Sequence, residues 1–188
     1  MYLKWKRKNI KYMSYFKSKM REETENWLFE YKNVKSMTDG LFVTLSIPPD
    51  TISLYKRNHG FIDMSNREVC IAMLQNLKNK IKNKFYGREK WRGWFIPVLE
   101  GDGKNKNFHF HLLISIPDKR SKIKCRDELR EYVEKSWKRV VRRKWVSTQI
   151  DEGNNLKTRV EYICKEITDL TSDCIVTKLL EDNNRLPI

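Results

Sequence analysis

From Phe108 to Leu112 the chain alternates apolar and polar, as Phe108-His109-Phe110-His111-Leu112, and then continues Leu113-Ile114-Ser115. A period of two predicts a half-buried strand. Phe108, Phe110, Leu112 and Ile114 fall on one face, His109 and His111 on the other. A different period governs residues 66–86, where Cys70, Leu74, Leu77, Ile81 and Phe85 repeat at three and four and predict a long helix ending at Gly87. Its other face carries Lys78, Lys80, Lys82 and Lys84.

The same reading along the chain predicts a strand over 41–47, stopped by Pro48-Pro49, and an irregular segment over 50–64 that holds His59 as a loop residue rather than a ligand. A strand over 94–100 and the histidine strand flank the loop 101–107, which predicts a hairpin, with Pro97 pointing to an edge position. A helix is expected over 122–141, with Cys125, Leu129, Val133 and Trp137 as its stripe, then a short strand over 145–150 and a helix over 156–169. Helical stretches around 11–19 and 22–33 would belong to a basic, aromatic-rich N-terminal extension over 1–36, leaving 37–188 as the main domain and 170–188 as its tail. The order strand, helix, strand, strand, helix, strand, helix predicts a single α+β domain. Its central sheet is mainly antiparallel and flanked by helices, close to an RRM-like, split β-α-β pattern.

Charge changes the picture next. The 188 residues carry 39 Lys+Arg against 24 Asp+Glu, a net charge of +15, which favours a polyanionic partner and above all nucleic acid. Aromatics are interleaved with the cations, as in Lys4-Trp5-Lys6-Arg7-Lys8, the run 84–92 and Trp137-Lys138-Arg139. Cations that meet phosphates beside rings that stack on bases suit single strands. The candidate contacts are Lys78, Lys82, Arg88, Lys90, Arg92, Lys104, Lys106, Arg139, Arg142 and Arg143. Cys70, Cys125, Cys164 and Cys174 lack metal-knuckle spacing and read as reduced, buried thiols of an intracellular protein; the expected place is the cytoplasm or nucleoid, or a virus-infected host cell. No apolar run is long enough to span a bilayer, and no phosphate-binding G-x-x-x-x-G-K-[ST] loop argues for an attached ATPase.

Against this background, two of the chain's three histidines lie side by side on one strand. A metal ion wants a third ligand, and Glu100, ending the other strand of the hairpin, lands beside the imidazoles if it pairs with either of them; Asp102 is the substitute if the turn is tighter. This His-His-carboxylate set suits Mn²⁺ or Mg²⁺ better than a closed zinc site. On the helix over 156–169, Val160, Ile163, Cys164 and Ile167 form the apolar stripe, and Tyr162 and Lys165 sit opposite it, one turn apart. A phenol beside an ammonium can attack phosphorus and become covalently linked; the alternative is a surface pair on a solvated helix face. Tyr86 and Tyr132 are rival phenols without such a partner.

These segments resemble the HUH endonucleases of the Rep class, the initiators of rolling-circle replication. Phe42-Val43-Thr44-Leu45-Ser46 looks like their first motif, His109-Phe110-His111 like the metal motif, and Tyr162-Ile163-Cys164-Lys165 like the Tyr-x-x-Lys motif, in the family's order over residues 40 to 170. Glu166 stands where two-tyrosine members carry the second tyrosine, so the chain looks like the single-tyrosine type. The resemblance implies nicking and rejoining of single-stranded or hairpin origin DNA. Glu100, His109 and His111 would hold Mn²⁺ or Mg²⁺, Tyr162 would form a 5′-phosphotyrosine, and Lys165 would support charge at the phosphate. The chain stops before any helicase domain, which implies a stand-alone initiator, one served by a host helicase and polymerase, or a truncated piece. Two other readings stay open: an HUH-type transposase, and a non-catalytic basic nucleic-acid-binding protein with an RRM-like sheet.

Overall fold

In the computed structural model, residues 19, 21–26, 40–87, 95–101, 107–115, 125–144, 146, 148–152 and 156–164 are described. The chain separates into two compact units, residues 1–37 with 154–174, and residues 38–153 with 175–188. The second unit holds β1 (Gly40–Ser46), α1 (Pro49–His59), α2 (Asn66–Phe85), β2 (Phe95–Glu100), β3 (His109–Ser115), α3 (Arg126–Val140) and β4 (Thr148–Glu152). The first holds α4 (Leu156–Ile163) and a helical stretch at 21–26.

The four strands form one antiparallel sheet in the order β2-β3-β1-β4. β3 separates β1 from β2 and β1 separates β3 from β4, a split β-α-β arrangement that makes the fold class α+β, as the element order predicts. Among the described strands β2, with Pro97 in it, lies at the edge, where a residue without a backbone N–H costs the sheet least.

One sheet face builds the core. Leu41, Val43 and Leu45 of β1 and Phe110, Leu112 and Ile114 of β3 pack with Leu74, Leu77, Ile81 and Phe85 of α2 and Leu129, Val133 and Trp137 of α3. Each such side chain contributes about 1.5–3 kcal/mol by leaving water. Tyr132 ties the two helices together: its hydroxyl donates to the Lys80 carbonyl at 3.2 Å and its ring meets Phe85 edge-on. α2 begins with a capping box between Ser65 and Glu68 and ends at Gly87, whose φ of +62° is the left-handed conformation expected of that glycine.

Four expectations change. The segment 50–64 is not irregular throughout: Pro49 opens α1, where its missing N–H costs nothing, and Thr51, Ile52 and Tyr55 are buried before Gly60 closes the helix at φ +70°. The proline pair that stops β1 therefore also starts a helix. Cys125 is exposed and extended, immediately before α3, so it belongs neither to the helix stripe nor to the buried thiols; residues 122–124 lie outside the described residues. β4 spans Thr148–Glu152 rather than 145–150, because its bounds follow the ladder to β1, from Leu45↔Thr148 to Leu41↔Glu152, and not the apolar pair Trp145-Val146. β3 is buried on both faces rather than one, with Leu113 at 2% and His111 at 3% exposure.

The expected helices around 11–19 and 22–33 lie mostly outside the described residues; Lys19 and residues 21–26 are helical. In the same unit, the guanidinium of Arg21 donates to the Glu161 carbonyl of α4 at 3.0 Å and pairs with Glu25. Val160, Ile163 and Cys164 of α4 are buried while Tyr162 is exposed, so the division of this helix into two faces follows its sequence; Lys165 and Ile167 lie outside the described residues.

Candidate metal centre

The β2–β3 ladder pairs Glu100 with His109 and Val98 with His111. Directly opposed residues share a face, and alternation returns His111 to it two positions on. Glu100 Oε2 lies 3.3 Å from His109 Nε2 and 3.6 Å from His111 Nε2. One ligand atom from each residue falls within 4.8 Å of the others, so the three converge on one point.

Neighbours fix each ring. The Asn107 carbonyl, 3.1 Å from His109 Nδ1, can only accept, so Nδ1 carries the proton and Nε2 turns to Glu100. A shared proton or a metal ion between that nitrogen and the carboxyl oxygen makes the contact favourable. His111 Nδ1 lies 3.0 Å from Thr44 Oγ1, its partner on β1, and its ring stacks on Phe42 at 5.5 Å and 10°. With Nε2 on a metal, Nδ1–H donates to the threonine hydroxyl, an outer partner of the kind that orients metal-binding imidazoles. The donor set, two imidazole nitrogens and a carboxylate with no thiolate, fits a divalent ion with positions left for other oxygens. His109 is the least buried of the three, its side chain 30% exposed against 4% for His111 and 7% for Glu100, so the group opens on its side.

Gly101 makes the geometry possible. Its φ is +93°, and a Cβ there would sit 2.2 Å from the Asn107 carbonyl oxygen, the atom that receives His109. Only glycine lets the two ends of the hairpin close this tightly directly after the carboxylate.

Asp102, the substitute ligand, and Arg88, Lys90, Arg92, Lys104 and Lys106 lie outside the described residues. His59 stacks on Tyr55 at 4.1 Å near the end of α1 and is not one of the converging group. The rival phenols are engaged in packing: Tyr86 is 8% exposed and Tyr132 binds Lys80, whereas Tyr162 is 41% exposed. Lys78 lies over the Phe95 ring at 5.9 Å, and Lys82 is half-buried near the end of α2. Arg139, Arg142 and Arg143 come together, joined by Lys135, Lys138 and Lys144, around a cleft at the C-terminal end of α3. Lys135, on the polar side of α3, and Lys144, four residues past its end, were missed by reading α3 for its apolar stripe alone. No helix among the described residues is long and apolar enough to cross a membrane.

No protein-family model matches this chain, and no curated protein or solved structure matches it. Function is therefore read from the site and from the motifs.

Proposed function

We propose that the protein is a metal-dependent DNA endonuclease and strand-transferase that nicks and rejoins single-stranded or hairpin origin DNA, as an initiator of rolling-circle replication. The observation that carries this reading is the convergence of Glu100, His109 and His111 in a chain of net charge +15. A divalent ion held by these three, Mn²⁺ or Mg²⁺ in this reading, would supply Lewis-acid polarisation of a scissile phosphate. Thr44 and the Asn107 carbonyl hold the two imidazoles in the orientation that task needs. The exposure of Tyr162, on a helix whose other side is buried, suits it to be the nucleophile. Its phenolic oxygen bonds to phosphorus as the bond to the 3′ oxygen breaks. The phenol loses its proton and the departing oxygen gains one, leaving a 5′-phosphotyrosine and a 3′-hydroxyl. Lys165 balances charge at the phosphate, and attack by a 3′-hydroxyl on the phosphotyrosine reverses the step and rejoins the strand. A host helicase and polymerase would then extend from the nick.

The test is incubation with Mn²⁺ and a panel of single-stranded and hairpin oligonucleotides, followed by mass analysis for a covalent adduct. The adduct is expected with the wild-type chain, absent with Tyr162→Phe although binding persists, and absent with EDTA or Glu100→Gln. An adduct that survives Tyr162→Phe would remove the nucleophile assignment, and nicking that ignores EDTA would remove the metal. Binding without any cut would leave a non-catalytic nucleic-acid-binding protein. Preference for the ends of a mobile element over a replication origin would make it a transposase.

A further inference from the structure

At the C-terminal end of α3, Lys135, Lys138 and Arg139 of the helix and Arg142, Arg143 and Lys144 just after it line a cleft of about 310 Å³. Two are engaged with acids, Lys138 with Glu134 at 2.6 Å and Arg143 with Asp50. Lys135, Arg139, Arg142 and Lys144 have no acidic partner among the described residues, and all four are exposed. A helix C-terminus carries about half a negative charge, enough to favour a cation or two there but not six. The surplus is a concave concentration of positive charge.

The backbone adds an independent observation. The Arg143 N–H donates to the Lys138 carbonyl at 3.1 Å, closing a Schellman turn whose left-handed position is Arg142, at φ +54°. Among the described residues, Arg142 is the only non-glycine with positive φ. Glycine is the residue that this position favours. A residue held in a disfavoured conformation points to a function; here an arginine stays in the lining of the cleft where glycine would relax the turn.

The cleft also has an address. The Trp137 indole N–H, one turn of α3 earlier, donates to the Ser46 carbonyl at 3.1 Å, and Ser46 pairs with His109. Asp50, which anchors Arg143, follows shortly after β1. Two tethers thus fix the cleft at the end of the sheet where the converging histidines lie.

We propose that this cleft is a clamp for successive phosphates of a nucleic-acid backbone, separate from the metal centre and at the same end of the sheet. It rests on the nucleic-acid reading of the chain but not on the cleavage chemistry. Four cations without an acidic partner, on a shallow lining that among the described residues holds only lysines and arginines, favour a continuous polyanion over a small carboxylate ligand.

The experiment is fluorescence anisotropy with a labelled single-stranded oligonucleotide and its hairpin form, in EDTA, over a range of NaCl concentrations. It uses the full chain, Arg142→Gly, and Lys135→Gln with Arg139→Gln and Lys144→Gln combined. Arg142→Gly relieves the turn, so its melting temperature is expected to rise while oligonucleotide affinity falls. Every phosphate that the cleft no longer holds should weaken binding about threefold near physiological salt and flatten the slope of log K on log salt by about 0.7 for a single strand. Unchanged affinity and slope in both variants would overturn the clamp. So would loss of binding to phosphatidylserine vesicles with oligonucleotide binding intact, which would make the surface a membrane-binding one. Equal affinity for inorganic triphosphate and for a long oligonucleotide would also overturn it, because a clamp must gain with strand length. A chain that binds through the cleft yet forms no adduct with Mn²⁺ would sink the nuclease reading and leave the clamp standing; adduct formation with unaltered binding in both variants would do the reverse.

Discussion

His111 is held by a hydroxyl against one ring nitrogen, a phenyl ring against its face and a carboxylate beside the other nitrogen. Replacing Thr44 by valine keeps the shape and removes the hydroxyl. The expected outcome is a loss of about 10- to 100-fold in Mn²⁺ affinity by calorimetry, the usual cost of removing an outer partner of a metal ligand, with the fold retained by circular dichroism. An unchanged affinity would mean that burial alone orients the ring. Acidification should weaken Mn²⁺ binding too, because each imidazole must be neutral to coordinate, and binding should release protons that a change of buffer ionisation enthalpy reveals. At this scale the three converging side chains could be read from the chain: alternation put the imidazoles on one face, and a hairpin brought Glu100 to them. Thr44 stood out as a motif residue, but its role did not, because which residue of β1 faces His111 depends on a pairing across 67 positions that no local pattern encodes.

Helices and strands differ in how openly they announced themselves. α2 came within a residue of its expected span because its stripe and its terminal glycine agree with one another. α1 was hidden by its own first residues, since a proline pair is both a strand terminator and a helix opener. β4 was displaced because a strand's limits belong to its partner as much as to itself. The β2–β3 hairpin offers the sharpest test of element geometry. Gly101→Ala forces a Cβ against the Asn107 carbonyl at a φ that alanine disfavours, and should destabilise the protein by more than about 1 kcal/mol in urea titrations. Because the Asn107 carbonyl also accepts the hydrogen bond from His109 Nδ1–H, Mn²⁺ affinity should fall with stability. A variant that loses stability but binds the ion normally would show that the turn shapes the fold and not the site.

For the molecule as a whole, charge suggested the kind of partner without suggesting a place. A net +15 describes the whole chain equally, whereas the cleft at the C-terminal end of α3 gathers six cations in one hollow. Folding is what separates the charge that merely solubilises from the charge that can grip. The ligand set has a further consequence at this scale. Glu100 is supplied by β2, the outermost of the described strands, which pairs among them with β3 alone. An ion held by this carboxylate and the two imidazoles of β3 would rivet the margin of the sheet to its interior. Amide hydrogen exchange across residues 95–100 should therefore slow when Mn²⁺ is added to the metal-free protein, with α2 unaffected as an internal reference. Every residue of β2 is buried, so the ion would fasten a margin already shielded from solvent. Metal supply would then govern not only reactivity but also how firmly that margin is held in place.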